Sequence, residues 1–84
     1  MTDSIGDVRA VLAAAAQSLD TAYQHARAAR GLLEEAVAVL GELDGRHHES
    51  LVPPQLTKAT DDLDLGLAAI GSGRDAVTDL GARL

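Results

Sequence analysis

The 84-residue chain contains no cysteine, tryptophan or phenylalanine, and its 13 acidic and 7 basic residues give a net charge of -6. The lack of cysteine excludes disulfides and thiolate metal sites, and a single tyrosine excludes a stacking platform for nucleic-acid bases. The negative charge disfavours binding to nucleic acid or to an anionic membrane surface. A single small domain is expected, in the size range where oligomerisation often supplements a marginal core.

A long helix is predicted from about residue 4 to about residue 44. Asp3 or Ser4 caps its start, and Ser4 with Asp7 three residues later approximates a capping box. Beyond the cap, apolar residues recur at alternating steps of three and four, which places them on one stripe of a helix. The stripe consists of Ile5, Val8, Leu12, Ala15, Leu19, Ala22, Ala26, Ala29, Leu33, Ala36, Leu40 and Leu43.

A loop over residues 45–53 separates this helix from a second one. Asp44-Gly45 is typical of a helix end, with Gly45 in the left-handed conformation, and Pro54 suits the first turn of the next helix. Arg46, His47, His48, Glu49 and Ser50 belong to the loop.

The second helix is predicted over residues 54–83, with the same pattern of apolar steps. Gly71-Ser72-Gly73 leaves open a break into two shorter helices. We favour one continuous helix in which Gly66 and Gly73 mark points of close backbone approach, so that Gly66→Leu would overpack the contact by about 1 to 3 kcal/mol. Its stripe consists of Leu56, Ala59, Leu63, Gly66, Ile70, Gly73, Val77, Leu80 and Leu84.

The two stripes predict an all-α fold, an antiparallel hairpin of two long helices that assembles into a four-helix bundle. With the turn near His48, large residues meet small ones: Leu33 lies opposite Gly66, and Ala22 lies opposite Val77. Leu84 then lies opposite Ala15, and the first turns of the first helix extend beyond the second. The hairpin seam is expected at Leu19, Ala22, Ala26, Ala29, Leu33, Ala36, Leu40, Leu63, Gly66, Ile70, Gly73, Val77 and Leu80.

Surplus apolar residues outside the seam predict a partner, either a second copy of the chain or a homologous helical protein. The expected partner surface consists of Ile5, Val8, Val11, Leu12, Leu32, Val39 and Leu67. Tyr23 is interpreted as an interface residue. No cofactor, small molecule, nucleic acid or membrane is indicated as a ligand, and the expected location is the cytoplasm, or outside the cell without a cleaved signal peptide.

Candidate catalytic and metal sites are weak in this sequence. His47, His48 and Glu49 near Asp44 are the cluster closest to a metal site, but adjacent histidines point in different directions. His25 is interpreted as a helix-surface or interface residue. A solvated acidic surface explains Asp61, Asp62, Asp64, Asp75 and Asp79, and no histidine-aspartate arrangement that would activate a nucleophile accompanies Ser18, Ser50 or Ser72.

The function predicted is a non-catalytic protein-protein interaction module, and an enzyme is not expected. Three alternatives remain open. An antitoxin or inhibitor in the cytoplasm could use an acidic outer face to cover a basic target surface. A metal-dependent protein could use its three histidines, and a purely structural oligomer would need no separate ligand.

Three short segments suggest a family resemblance: Ser4-Ile5-Gly6-Asp7-Val8-Arg9-Ala10, Leu33-Glu34-Glu35-Ala36 and Ala82-Arg83-Leu84. Together with an acidic hairpin of this length, they resemble small actinobacterial hairpin proteins, the WxG-motif proteins of type VII secretion, and the leading hairpins of polymorphic toxins. The resemblance implies pairing with another hairpin and a link to toxin or type VII-like secretion systems. The Trp-x-Gly turn and the C-terminal tyrosine of the secretion family are absent from this sequence.

Overall fold

The structure is a computed structural model that describes residues 4–45 and 50–84. Helix α1 spans Ile5–Asp44 and helix α2 spans Pro54–Arg83, and the described ranges contain no strand. Contacts of Arg30 with Asp64 and of Asp20 with Arg74 show that the helices run antiparallel. The predicted helical hairpin is confirmed, and α2 continues through Gly71-Ser72-Gly73 without a break.

Helix α1 begins with the predicted capping box at Ser4. The Ser4 hydroxyl accepts a hydrogen bond from the Asp7 amide at 3.1 Å, and the Asp7 carboxylate accepts one from the Ser4 amide at 3.3 Å. Both bonds satisfy amides that the first turn leaves without a helical partner, and the carboxylate also faces the positive end of the helix dipole. The other candidate cap, Asp3, lies outside the described residues.

The end of α1 is held by a side chain instead of a left-handed glycine. Gly45 has φ -61° and ψ -14°, a right-handed conformation, so the left-handed prediction is wrong. The Asp44 carboxylate accepts hydrogen bonds from the Leu51 amide and, at 3.3 Å, from the Ser50 hydroxyl. These bonds bring residues 50 and 51 beside the last turn of α1.

The two helices pack in a different register from the predicted one. Val77, expected opposite Ala22, shares a groove with Leu12 and Ala16. The shift is about five residues, or one and a half helical turns, and moves α2 toward the N-terminus of α1. The contacts of Asp44 with Ser50 and Leu51 agree with this register, because they place residue 51 level with the last turn of α1.

Ala15 is half-buried as the predicted stripe requires, but from Leu19 onward the half-buried positions of α1 match that stripe at one step in each heptad and differ at the other. Ala22, Ala29 and Ala36 are exposed, and the residues that follow them are half-buried in their place. Burying a tyrosine, a valine or the stem of an arginine removes more apolar area from water than burying an alanine. The half-buried seam of α1 consists of Leu12, Ala16, Leu19, Tyr23, Ala26, Arg30, Leu33, Val37, Leu40 and Asp44.

Helix α2 presents a broader set of half-buried residues. Leu80, expected in the seam, is 48% exposed, and Leu84 is also exposed. Ala59, Gly66 and Gly73 are half-buried at one edge of the seam. The half-buried seam of α2 consists of Leu56, Thr60, Leu63, Leu67, Ile70, Arg74, Val77 and Gly81.

The hairpin is a single layer without an interior. None of the described residues is buried, and the molecule measures 67 × 20 × 14 Å. The chain exposes 6225 Å². A compact monomer of its mass would expose roughly 4,700 Å², so this hairpin carries an excess of about 1,500 Å². Stable domains normally bury the apolar side of one layer against a second layer, which the lone hairpin lacks.

The helix-interior glycines do not pack closely within the hairpin. A Cβ atom added at Gly66, Gly73 or Gly41 would meet no atom within 4 Å. The predicted close approach at Gly66 and Gly73 is therefore not made between α1 and α2, and the seam alone gives no reason to expect overpacking by Gly66→Leu.

Gly41→Ala is expected to raise the free energy of unfolding by about 0.5 to 1 kcal/mol, because alanine loses less backbone entropy in a helix. Urea melts followed by circular dichroism would measure the change. Ala28→Gly, at an exposed position of the same helix, is the matched control and should lower stability by a similar amount. A loss of stability in Gly41→Ala would contradict the open surroundings at this glycine.

Candidate interaction surface

One side of the hairpin carries ion pairs that cross between the helices. The Arg30 guanidinium donates to both carboxylate oxygens of Asp64, with Nη2 and Oδ2 3.3 Å apart, and also to Glu34. Nη1 of Arg74 lies 2.9 Å from Oδ1 of Asp20. We call these five residues, Asp20, Arg30, Glu34, Asp64 and Arg74, the charged face.

The carboxylates of the charged face pair with arginines that are charged at any physiological pH. Hydrogen bonds to Asp64 and then Glu34 raise the pKa of Arg30, and the hydrogen bond to Asp20 raises the pKa of Arg74. These shifts reflect attraction to the carboxylates and do not change the protonation state of either arginine at neutral pH. Exposed pairs of this kind contribute little stability, and their main effect is to fix where charge lies.

Tyr23 belongs to the hairpin seam rather than to an outer interface. Its ring is half-buried, and its Cε2 would lie 3.8 Å from a Cβ atom added at Gly71. The Arg74 guanidinium carbon lies 5.3 Å from the centre of the ring, a cation-π distance. The aromatic ring therefore supports the same arginine that pairs with Asp20.

Helix α1 carries a second apolar stripe on its exposed surface. Val11, Leu32 and Val39 are 68%, 67% and 57% exposed. Positions on this stripe alternate by three and four residues, just as the seam positions do, so it runs along the whole helix. Its members are Val8, Val11, Ala15, Ser18, Ala22, His25, Ala29, Leu32, Ala36, Val39 and Leu43.

Each residue of this stripe stands one position before a residue of the series that faces α2. Leu32 precedes Leu33, and Val11 precedes Leu12. Consecutive residues of a helix are about 100° apart, so the stripe is turned by about 100° from the seam. In a square four-helix bundle each helix has two neighbours about 90° apart. The stripe thus points to the position of a second neighbouring helix.

Helix α2 adds small residues to the same side of the hairpin. Ala59, Gly66, Gly73 and Leu80 also come one position before seam residues. In an antiparallel pair, positions with the same offset from the seam lie on the same side. We call the α1 stripe together with these four residues the apolar face. The α1 stripe contains no Asp, Glu, Lys or Arg, but on α2 Gln55 and Asp62 also come one position before seam residues and lie on this side. Asp20, Glu34 and Asp64 follow seam residues and lie on the opposite side.

The residues expected at the partner surface divide into two groups. Val8, Val11, Leu32 and Val39 lie on the apolar face, and Ile5 is exposed beyond it at the open end of the hairpin. By contrast, the remaining two, Leu12 and Leu67, are half-buried in the seam. The shifted register explains Leu12, because it brings Gly81 and Val77 alongside.

Two leucines of the apolar face are exposed although the sequence predicts otherwise: Leu43 is expected on the stripe that faces α2, and Leu80 in the hairpin seam. Their one-residue offset from Asp44 and Gly81 was the signal that could have found them. Leu65, 72% exposed, lies on the outer side of α2, away from the apolar face.

Only some of the candidate catalytic and metal-binding residues lie within the described ranges. Residues 4–45 and 50–84 contain no group of three His, Asp or Glu side chains that could hold a metal ion. His47, His48 and Glu49 lie outside those ranges. Asp62 pairs with Lys58 at 2.6 Å, which raises the lysine pKa, and Asp64 pairs with Arg30. His25 is exposed in the middle of the apolar stripe.

Neither described helix has a stretch long and apolar enough to cross a membrane. Comparison of the chain with protein-family models, curated proteins and solved structures gives no match. The apolar face is consequently interpreted from its own geometry and chemistry.

Proposed function

We propose that the protein is a non-catalytic interaction module whose apolar face packs against another helical hairpin to form a four-helix bundle. The observation that carries this proposal is the excess surface of the hairpin, 6225 Å² exposed with no buried residue in the described ranges. The excess over a compact monomer is about 1,500 Å², against about 800 Å² per partner in a standard interface.

The distribution of charge supports the same function. The ion pairs that cross between the described helices lie on the charged face, and the α1 stripe of the apolar face has no charged side chain. A face that packs against a partner is favoured when no charge must be desolvated there. The solvated ion pairs on the opposite side suit the outside of a bundle, where salt and water screen them.

The biological setting follows from the resemblance to small actinobacterial hairpins and WxG-motif proteins. A pairing hairpin of that kind would act within a toxin or type VII-like secretion system. An enzymatic role is not part of this proposal.

The acidic inhibitor is the less favoured alternative. Covering a basic target requires carboxylates that are free to pair with it. On the charged face, Asp20 and Asp64 already pair with Arg74 and Arg30, and Glu34 also pairs with Arg30.

Thermal melts of the purified chain over about a hundredfold range of concentration test the proposal, because association raises the melting temperature with concentration. We expect such a rise, with little weakening when salt is increased, since apolar contacts are not screened. A melting temperature independent of concentration would contradict self-association. Capture of a target whose binding weakens steeply with salt would favour the inhibitor.

A further inference from the structure

We propose that the partner is a second copy of this chain, packed apolar face to apolar face about a two-fold axis perpendicular to the helices. In this arrangement α1 lies antiparallel on α1 of the second copy, and α2 lies on α2. The inference rests on the proposed function, because it names the occupant of the apolar face and its orientation.

The area of the apolar side fits a dimer. If each copy buries its excess of about 1,500 Å², the pair buries about 3,000 Å², which is in the range of obligate homodimers. A pair of hairpins also supplies the second layer that the single hairpin lacks. A two-fold pair closes on itself and leaves no apolar face open to further copies.

Two face-to-face arrangements are compatible with two-fold symmetry. An axis parallel to the helices would place α1 on α2 of the second copy. Two residues that lie at the same height within one hairpin would then meet across the interface. Arg30 is level with Asp64, so Leu32, two residues further along α1, is level with Asp62. By the same register, Val11 is level with Arg83 and Val39 with Gln55.

This parallel axis would press the most exposed apolar side chains of α1 onto polar ones. Gln55, Asp62 and Arg83 stand one position before the seam residues of α2, the offset that Leu32 has on α1. Asp62 pairs with Lys58 and Arg83 pairs with Asp79, and covering these exposed ion pairs with leucine or valine would remove their hydrating water, which is unfavourable. The perpendicular axis does not place Val11, Leu32 or Val39 on these residues and is therefore favoured.

On α1, the perpendicular axis places apolar residues opposite apolar or small residues of the second copy. The α1 stripe runs from Val8 to Leu43 and is centred at His25. An axis through His25 brings Val11 opposite Val39 of the second copy, Leu32 opposite Ser18, and the two His25 side chains opposite each other.

The same axis also passes through the middle of the α2 part of the apolar face. Ala69 is level with His25 in the hairpin register, and it lies midway between Ala59 and Leu80. On α2 the axis places Gln55 opposite Arg83 of the second copy, at the polar ends of the bundle, and Asp62 opposite the small side chain of Ala76.

Small residues at regular intervals let the two copies approach closely. Ala15, Ala22, Ala29 and Ala36 recur every seven residues, and Gly66 and Gly73 stand on the same side of α2. A Cβ atom at either glycine would meet nothing inside the hairpin. Close contact with a second copy gives these glycines the packing role that the hairpin seam does not.

The absence of cysteine makes the arrangement directly testable. His25→Cys should form a disulfide with itself under mild oxidation, and a mixture of Val11→Cys and Val39→Cys should cross-link although neither does so alone. Leu32→Cys mixed with Asp62→Cys reports the parallel axis and should give no cross-link. Leu65→Cys, on the outer side, measures random collision. The expected yields exceed that background by roughly tenfold or more.

The outcomes separate the inference from the proposed function. Cross-linking of Leu32→Cys with Asp62→Cys, without that of His25→Cys, would overturn the perpendicular axis while leaving hairpin pairing intact. A wild-type chain with the mass of one copy, together with no variant above the Leu65→Cys background, would overturn both. Cross-linking of His25→Cys and of the Val11→Cys and Val39→Cys mixture supports the perpendicular axis.

Discussion

Leu32→Glu is expected to weaken hairpin pairing by at least about a hundredfold, which corresponds to about 2.8 kcal/mol. Leu32 is 67% exposed, so a carboxylate there stays hydrated in the single hairpin. In the proposed bundle it would be buried without a partner, which is strongly unfavourable. Sedimentation equilibrium should show a fall to the mass of one chain. The melting temperature should drop and no longer depend on concentration.

Leu65→Glu is the matched control for this change. The two leucines are equally exposed within a few per cent, but Leu65 lies on the outer side of α2. The control should keep the mass and melting temperature of the wild type. If both variants dissociate, or if neither does, the apolar face is not the pairing surface.

Leu33→Ala is expected to lower the melting temperature at every protein concentration. Leu33 is half-buried between α1 and α2, and its truncation removes contacts that hold the hairpin itself together. We expect a loss of about 2 kcal/mol, or roughly 10 °C for a chain of this size. Thermal melts followed by circular dichroism would measure it.

The neighbouring substitution Leu32→Ala separates the seam from the apolar face. Leu32 is the preceding residue on the same helix and differs from Leu33 chiefly in the direction of its side chain. It should lower the melting temperature only at concentrations where hairpins pair. Equal losses for both variants in dilute solution would contradict the division into two surfaces.

The helical hairpin was predictable because local signals mark its ends. Ser4 and Asp7 form a capping box, and Pro54 stands in the first turn of α2. These signals act within a few residues of the helix end, so they do not depend on how the helices pack.

The seam was only partly predictable, since α1 carries two heptad patterns one residue apart. Leu19, Ala26 and Leu33 fit the predicted stripe, but at the alternating step both Ala22 and Tyr23 complete a pattern of three and four. Periodicity cannot decide which of the two faces α2. The larger apolar area of Tyr23 and the contacts of its ring with α2 decide it in the folded hairpin.

The register was not predictable from the stripes for a similar reason. Sliding one heptad pattern along another preserves much of the large-to-small matching, so the loop must fix the pairing. Here Asp44 fixes it by accepting hydrogen bonds from Ser50 and Leu51, a contact that helical periodicity does not encode. The error also misplaced Leu12, which was expected beyond the end of α2 and instead packs beside Val77.

The central claim is that the exposed apolar face of this hairpin is covered by a second copy of the chain. Light scattering after gel filtration, with the purified wild-type chain diluted in steps, tests it most directly. The proposed dimer predicts twice the chain mass of 8.7 kDa at high concentration and dissociation on dilution. A mass of 8.7 kDa at every concentration, from a chain that melts cooperatively, would contradict it.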